Sequence, residues 1–264
     1  MNAALHARAA SALARLRPLC GDEDAAHAMA RLESLFGEST PLPSRLTAEG
    51  VPLEFTFRAN DTAVAFTADV REEWIGTRIR GGAVATKRYA LAADEASARA
   101  AAEERLGARV PVGRCRMLAA GEGTFEAYFR ADRIAPWALR ILLAPLSLQR
   151  LDRLLLEAFE DACAARLRDE MPGVTGFSYA IRDGAPPSFT LYAFASSMFG
   201  GDARTRAALL RCARRRGVSL EAYARFTEPL AGRRGPASTH GLFGVAVDER
   251  GLPEMRIGCT PPRN

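Results

Sequence analysis

A strict alternation of apolar and polar residues near position 50 constrains the fold more than any other feature of this 264-residue sequence. In the segment LEFTFR, which begins at Leu53, every second residue is apolar, and Glu54 and Arg58 fall on the opposite face. A period of two predicts a β-strand with one apolar and one polar face. Residues 59–61 have the composition of a turn, and a second strand returns over residues 64–70. The segment therefore predicts an antiparallel hairpin that carries a carboxylate and a guanidinium on one face, about 13 Å apart along the strand.

Similar hairpins are predicted three more times along the chain, at residues 114–131, 174–194 and 241–259. Each has a glycine in or near its turn, as short hairpin connections favour. Segments with helical periodicity separate the hairpins, at residues 1–36, 92–106, 136–168 and 202–216. Asp202 is predicted to cap the last of these helices. Residues 71–82 predict the start of a further helix, with Gly81–Gly82 as its boundary.

Two architectures fit four hairpins separated by helices. One is an open antiparallel sheet with helices on one face, and the other is a closed antiparallel barrel with helices outside. Closure is favoured because it removes the exposed edges of the sheet. The prediction is an α+β fold, an antiparallel β-barrel of repeated helix–strand–strand units. No linker or shift in composition divides the chain, so we predict a single domain over residues 1–264, with a helical segment over 1–45 and the barrel over 46–264.

Composition narrows the classes of function. The net charge is +5 and the positive residues are scattered, which suits an anionic ligand but argues against nucleic acid. Five cysteines without a CxxC pair predict reduced thiols and a cytoplasmic protein. No apolar run reaches the length of a membrane span. His27 and His240 lack the spacing of metal ligands, so no metal site is predicted. His240 stands at the start of a strand and is interpreted as a turn residue and not as a catalyst.

The polar faces of the predicted strands carry a set of arginines. On the predicted registers, six of them project to the shared polar side: Arg58, Arg114, Arg116, Arg130, Arg182 and Arg256. Guanidinium groups bind phosphate oxygens bidentately, so these residues are candidates for an anion site. Alternatively, Arg58 and Arg182 lie at the ends of their strands, where their side chains are exposed to water.

Glu54 and three aromatic residues are the other candidates. Glu54 is either a solvated carboxylate paired with an arginine or a buried base, whose pKa burial and nearby arginines pull in opposite directions. Tyr128, Tyr192 and Phe194 are either plain barrel packing or ring faces that stabilise a cation and exclude water from it.

Several of these stretches together resemble a known family. The opening strand of the soluble ABBA-fold prenyltransferases is similar to GVPLEFTFRAN, and their later hairpins are similar to RMLAAGEGTFEAYFR, VTGFSYAIRDGAPPSFTLYAFA and GLFGVAVDERGLPEMRIG. The resemblance covers roughly residues 45–260 and is nearest to the branch that prenylates cyanobactin-type peptides.

The resemblance implies a barrel that binds an allylic diphosphate, dimethylallyl or geranyl, and transfers its C5 or C10 group to an electron-rich side chain of a peptide or to an aromatic metabolite. It implies that Glu54 is the catalytic carboxylate and that the prenyl and acceptor pocket includes Tyr128, Phe194 and Thr190. The implied diphosphate ligands are Arg58, Arg116, Arg130, Arg182, Arg256 and Tyr192. No cofactor is required by the resemblance, which leaves open whether Mg²⁺ accompanies the diphosphate.

The sequence also departs from the pattern of that family. Ala65, Glu126 and Thr190 stand where cations are common, and Gly258 stands where a tyrosine is common. The chain is also expected to lack one of the family's five hairpins. An alternative function is therefore a barrel of the same fold that has lost diphosphate chemistry and binds a peptide or another anionic metabolite. A third hypothesis is that the chain is an unrelated α+β binding protein with an open sheet.

Overall fold

The computed structural model describes residues 2–37, 44–47, 49–71, 73–236 and 239–263. In these residues ten strands form one closed antiparallel barrel, in which each strand pairs with its neighbours in sequence and the first pairs with the last. The closed barrel confirms the predicted fold class. The strands are β1 Leu53–Arg58, β2 Val64–Val70, β3 Glu73–Arg80, β4 Ala83–Leu91, β5 Arg114–Gly121, β6 Thr124–Arg130, β7 Val174–Arg182, β8 Ala185–Phe194, β9 His240–Asp248 and β10 Glu254–Cys259.

The prediction of four hairpins was wrong, because β3 and β4 form a fifth hairpin where a helix was expected. Gly81 and Gly82 have φ angles of 57° and 77°. Two positive φ angles in succession are the geometry of a tight hairpin turn, so the pair does not end a helix. The strand pattern is weak here because β4 is exposed along most of its length. Val84, for example, is 49% exposed. The chain is therefore not one hairpin short.

Helices pack against the outward face of the barrel. They are α1 Ala3–Phe36, α2 Glu95–Leu106, α3 Leu139–Leu143, α4 Asp152–Cys163, α5 Ala195–Phe199, α6 Asp202–Arg215 and α7 Glu221–Phe226. The two helices predicted over 1–36 correspond to α1, which breaks at Gly21 with a φ of 88° and contains Pro18 in its interior. None of the described helices combines the length and the apolar character that crossing a membrane requires. All five cysteines are free thiols, as predicted.

The hydrophobic core lies between the barrel and the helices. Phe55 and Phe57 point outward from β1, and their rings lie 5.1 and 4.8 Å from the ring of Phe226 in α7. The residues that alternate with them along the strand must then point inward, because successive side chains lie on opposite faces of a sheet. Glu54 and Arg58 therefore face the interior of the barrel, which we call the lumen.

The carboxylate of Asp24 attaches α1 to the fifth hairpin. Asp24 is 5% exposed. Its two oxygens accept hydrogen bonds from the backbone N–H groups of Gly81 and Gly82, at 2.9 and 2.8 Å. A buried carboxylate that satisfies two turn amides holds the turn in place, since both amides would otherwise lack a partner.

Asp24→Ala is expected to lower the free energy of unfolding by about 1.5–3 kcal/mol, because it removes hydrogen bonds to a charged group. Chemical denaturation measures the change. The control is Asp22→Ala in the same helix, whose side chain is 87% exposed in its ion pair with Arg17 and should contribute less than about 1 kcal/mol. Equal losses in the two variants would contradict the role assigned to Asp24.

Candidate active site

The lumen concentrates cationic and phenolic side chains at the inward positions of the strands. The cations are Arg58, Arg78, Lys87, Arg182 and Arg256, and the phenols are Tyr89, Tyr128 and Tyr192. They come from seven different strands, so closure of the barrel is what brings them into one chamber.

Four arginines lie close together in the lumen, and we call them the arginine cluster: Arg58, Arg78, Arg182 and Arg256. Their positive charges outnumber the carboxylates that pair with them. Arg58 is the direct cross-strand partner of Arg256. Burial, together with repulsion from Arg256, Arg78 and Arg182, lowers the pKa of Arg58 to about 10, although Glu254 opposes the shift. The guanidinium of Arg58 lies 3.8 Å from Glu254, while Arg256 lies 2.6 Å from the same carboxylate. One carboxylate thus serves two guanidinium groups.

Unused hydrogen-bond donors remain in this arginine cluster. Arg58 Nε and Arg78 Nη1 are buried, and neither has a hydrogen-bond partner among the described residues. Another nitrogen of Arg78 pairs with Asp61 at 2.6 Å. Buried donors without acceptors are costly unless a ligand supplies the acceptor. The cluster is therefore suited to a polyanion with several oxygens.

Lys87, Glu126 and three hydroxyl groups form a second network in the lumen. Lys87 forms an ion pair with Glu126 and donates to the hydroxyl of Tyr128 at 3.1 Å. Ser178 donates to Glu126 at 2.6 Å, and the hydroxyl of Tyr192 lies 3.4 Å from the same oxygen. Burial alone would raise the pKa of Glu126, but Lys87 and Arg256 outweigh burial and lower it to about 2. Glu126 is therefore ionised, and its charge is matched by Lys87.

The tyrosines surround the ammonium group of Lys87. Its Nζ lies 4.9 Å from the ring centroid of Tyr89 and 5.4 Å from that of Tyr128. The ring of Tyr128 is 5.9 Å from Tyr89 and 6.1 Å from Tyr192. Burial, followed by the charge of Glu126, raises the pKa of both Tyr128 and Tyr192. The phenols thus stay neutral and keep their O–H donors.

Each position at which a family cation is missing lies beside a cation from another strand. Ala65 is directly opposite Arg78 on β3. Glu126 pairs with Lys87 of β4. Thr190 accepts a hydrogen bond from Arg256 of β10 at 3.1 Å. Positive charge is therefore present in the lumen beside all three positions at which the sequence resemblance led us to expect a cation.

Glu54 lies apart from these cations, against the backbone of β9 and β10. A Cβ atom at Gly241 or Gly258 would collide with its carboxylate. No hydrogen bond or ion pair joins this carboxylate to another described residue. Burial raises the pKa of Glu54 to about 7. Gly258, which stands where a tyrosine is common in the family, thus provides space for a carboxyl group that can exchange a proton near neutral pH.

The other residues predicted for the site lie elsewhere. Arg116 is exposed at a register shift of β5, between Cys115 and Met117. Arg130 has a side chain that is 55% exposed and pairs with Asp132 at 3.4 Å. Phe194, the last residue of β8, is 48% exposed. The structure does not bring Arg116 or Arg130 into the arginine cluster.

Sequence reasoning missed Arg78, Lys87 and Tyr89. All three belong to the β3–β4 hairpin, whose first strand was expected to begin a helix over residues 71–82 and whose second strand was not predicted. The alternating segment ATKRY, with Gly81–Gly82 before it, was the available signal.

A cavity of about 270 Å³ lies at the end of the barrel where the hairpins turn, and its lining includes Arg182, Asp248, Glu254 and Arg256. This cavity gives the arginine cluster access from outside. Among the described residues there is no group of three or more His, Cys, Asp or Glu side chains that could hold a metal ion.

No protein-family model and no curated protein matches the chain. Solved structures do resemble it. The 5-dimethylallyltryptophan synthase from Streptomyces coelicolor has a TM-score of 0.77 at 17% identity, covering 97% of both chains. The prenyltransferase PriB has a TM-score of 0.77 at 16% identity, covering 100% of this chain and 99% of that one. The 6-dimethylallyltryptophan synthase from Micromonospora olivasterospora, in complex with DMASPP and Trp, has a TM-score of 0.75 at 14% identity, covering 98% of both chains.

These similarities show that the chain has the PT-barrel fold, also called the ABBA fold, of aromatic prenyltransferases. The fold expected from the sequence resemblance is confirmed. The relation to the cyanobactin-type peptide branch stays a prediction.

Glu54→Gln is expected to stabilise the protein above neutral pH. Burial raises the pKa of Glu54 from 4.5 to about 7, so the folded state binds this proton more tightly than the unfolded state. The protonated carboxyl group of Glu54 therefore favours the folded state. This contribution to the free energy of unfolding is fully present below about pH 4.5 and is lost as the pH rises through 7. At pH 8 the variant should be more stable than the wild type by about 1–3 kcal/mol, a range reduced for the partial exposure of the side chain. At pH 4.5 the two should be nearly equal.

Urea denaturation at the two pH values measures this difference. Glu249→Gln, at an exposed position in the β9–β10 turn, is the matched control and should show no pH-dependent gain. A Glu54→Gln variant that is no more stable than the wild type at pH 8 would refute the burial of a raised-pKa carboxyl group.

Proposed function

We propose that this protein is an aromatic prenyltransferase, which transfers an allylic group from its diphosphate to an electron-rich aromatic ring. The observation that carries the proposal is the division of one lumen into two chemically different parts. Cations and tyrosines occupy one part, and a carboxyl group with a pKa of about 7 and no cationic partner occupies the other. The shared fold with enzymes that bind tryptophan and dimethylallyl thiolodiphosphate supports the same assignment.

The diphosphate binds at the arginine cluster. Arg58 and Arg78 supply buried donors that lack acceptors, and Arg182 and Arg256 line the cavity through which the anion enters. Charge-assisted hydrogen bonds from guanidinium forks hold phosphate oxygens in a defined direction. They also stabilise the charge that develops on the diphosphate as it leaves.

The allylic group lies among the tyrosine rings. When the C–O bond breaks, its electron pair leaves with the diphosphate, and the allylic carbon becomes cationic. The faces of Tyr89, Tyr128 and Tyr192 stabilise this cation and keep water away from it. Lys87 also lies over the rings of Tyr89 and Tyr128. Its charge is matched by Glu126, so it adds no net positive charge beside the carbocation.

The acceptor lies between the tyrosines and Glu54. A carbon of its ring attacks the allylic carbon and a C–C bond forms. The same ring carbon then gives its proton to the released diphosphate, which restores aromaticity. An unpaired carboxylate binds an N–H or O–H group on the ring, which raises the electron density of the attacking carbon. The acceptor class is therefore an aromatic ring with such a donor, as in indoles and phenols, whether free or within a peptide.

One observation favours a second candidate, a barrel that binds an anionic metabolite or peptide without transferring a prenyl group. Four of the five lumen cations already have a carboxylate partner, as shown by the pairs Arg58–Glu254, Arg78–Asp61, Lys87–Glu126 and Arg256–Glu254. These carboxylates weaken the net attraction for a diphosphate. Binding combined with turnover measurements separates the two candidates.

Arg78→Gln is expected to weaken the binding of dimethylallyl thiolodiphosphate by about 10- to 100-fold, which is the effect of losing a charge-assisted hydrogen bond. Titration calorimetry with and without Mg²⁺ measures the affinity and shows whether the ion accompanies the diphosphate. Arg88→Gln is the control, because this nearby arginine on β4 has a side chain that is 72% exposed and pairs with Glu73. Wild-type protein that does not bind the analogue or geranyl diphosphate at millimolar concentration would exclude the proposed function.

Glu54→Gln is expected to reduce kcat for allyl transfer by about 10²–10⁴-fold while leaving diphosphate affinity unchanged, because the carboxylate acts on the acceptor. For the wild type, kcat/KM for the acceptor should rise with pH through a pKa near 7 as Glu54 loses its proton. Product analysis with dimethylallyl and geranyl diphosphates and a panel of indoles, phenols and short aromatic peptides tests this. Transfer that is undiminished in Glu54→Gln would remove Glu54 from the mechanism, and diphosphate binding without any transfer would favour the second candidate.

A further inference from the structure

The position of Glu54 depends on the position of strand β9. Its carboxylate lies against Gly241 of β9 and Gly258 of β10, so closely that a methyl group at either glycine would collide with it. No hydrogen bond from another described residue holds this carboxylate. The backbone of the two strands is therefore what defines its site.

Strand β9 is irregular at this point. Phe243 pairs with Ile257 and His240 pairs with Cys259, so β9 has one more residue than β10 between these two pairs. The extra residue makes a β-bulge at Gly241–Leu242. A bulge interrupts the ladder of hydrogen bonds, so the sheet alone holds this segment less firmly than the rest of the strand.

The side chain of His240 anchors the segment from outside the barrel. Its Nδ1 lies 2.7 Å from a carboxylate oxygen of Asp202 in α6. Its Nε2 lies 2.8 Å from the hydroxyl of Tyr223 in α7. Asp202 also accepts from the backbone N–H groups of Thr239 and His240 at 3.3 Å each. Two helices thus hold the residue that directly precedes the bulge.

This arrangement corrects one sequence prediction, because Asp202 does not cap its own helix and the N-cap residue is Gly201. His240 lies at the start of a strand, as expected from the sequence. The Asp202 and His240 side chains are 0% exposed, and the whole of Tyr223 is also 0% exposed. The three groups therefore cannot contact a substrate in the lumen. Other ionisable groups near this anchor include Arg233, which lies 3.7 Å from Asp202, and Cys259, the strand partner of His240. Arg206 also acts on Tyr223 through its charge.

We propose that His240, held by Asp202 and Tyr223, is a positioning residue for Glu54. It fixes the β9 bulge so that Gly241 and Gly258 leave a recess of the size of a carboxyl group. The expected effect on kcat/KM rests on the proposed function. The placement of Glu54 is measured separately, without any turnover. A displacement of about 1 Å at a reacting group is enough to reduce rates by up to about 100-fold.

The test compares Tyr223→Phe with Tyr179→Phe. Both substitutions remove one buried phenolic hydrogen bond, since the hydroxyl of Tyr179 donates to the carbonyl of Leu142 at 2.7 Å on another part of the wall. Both should lower Tm to a similar degree. Only Tyr223→Phe should admit water to the recess, move the pKa of Glu54 down toward its ordinary value, and reduce kcat/KM for the acceptor by about tenfold. Diphosphate affinity should stay as in the wild type for both variants.

The pKa of Glu54 is read by NMR titration of protein labelled with ¹³C at glutamate side chains, with Glu54→Gln to assign the signal. Asp202→Asn is a second variant, which keeps an oxygen for the backbone N–H groups but weakens the contact to His240. Equal Glu54 titrations in wild type, Tyr223→Phe and Asp202→Asn would overturn the inference. If the wild type transfers no prenyl group, the proposed function fails, and the NMR titration still decides whether the anchor positions Glu54.

Discussion

The burial of an apolar outer wall beneath helices is the constraint on which the rest of this structure depends. Phe55 and Phe57 can pack on α7 only if β1 turns its apolar face outward, and every second residue then points into the lumen. Closure of the barrel gives the backbone N–H and C=O groups of every strand a hydrogen-bonding neighbour. The polar side chains then point into the interior. A carboxylate in such a chamber loses part of its hydration, which disfavours its charged form and raises the pKa of Glu54 to about 7.

Positive charge in the lumen lies beside each of the three positions at which the sequence resemblance led us to expect a cation. Arg78 faces Ala65, Lys87 pairs with Glu126, and Arg256 donates to Thr190. In each case the cationic side chain comes from another strand of the barrel. Closure of the barrel therefore decides where positive charge and N–H donors lie, whichever strand supplies them. Glu126 adds a negative charge to the lumen, and Lys87 compensates it.

Predictions from the sequence succeeded where one face of a strand was buried under a helix. Alternation in β1 placed Glu54 and Arg58 on one face, and closure was inferred from the number of hairpins. The β3–β4 hairpin was missed because β4 is exposed along most of its length and so lacks the apolar half of the pattern. Arg116 was expected in the lumen on an unbroken register, but β5 shifts register at that residue. A shift of one residue moves each following side chain to the opposite face of the sheet. The alternation of apolar and polar residues in the sequence does not show where such a shift occurs.

The sequence by itself determined the class of the fold and the chemistry available to it: strands with one polar face, a lone glutamate on the first of them, and an excess of arginine on the others. These properties depend on local periodicity and residue type, which are present in the order of the amino acids. Only the tertiary structure decided which cations meet, that Glu54 lies away from them against Gly241 and Gly258, and that Asp202 and His240 hold the wall behind it. Those relations join residues far apart in the chain, and they exist only once the barrel closes and fixes the register of every strand.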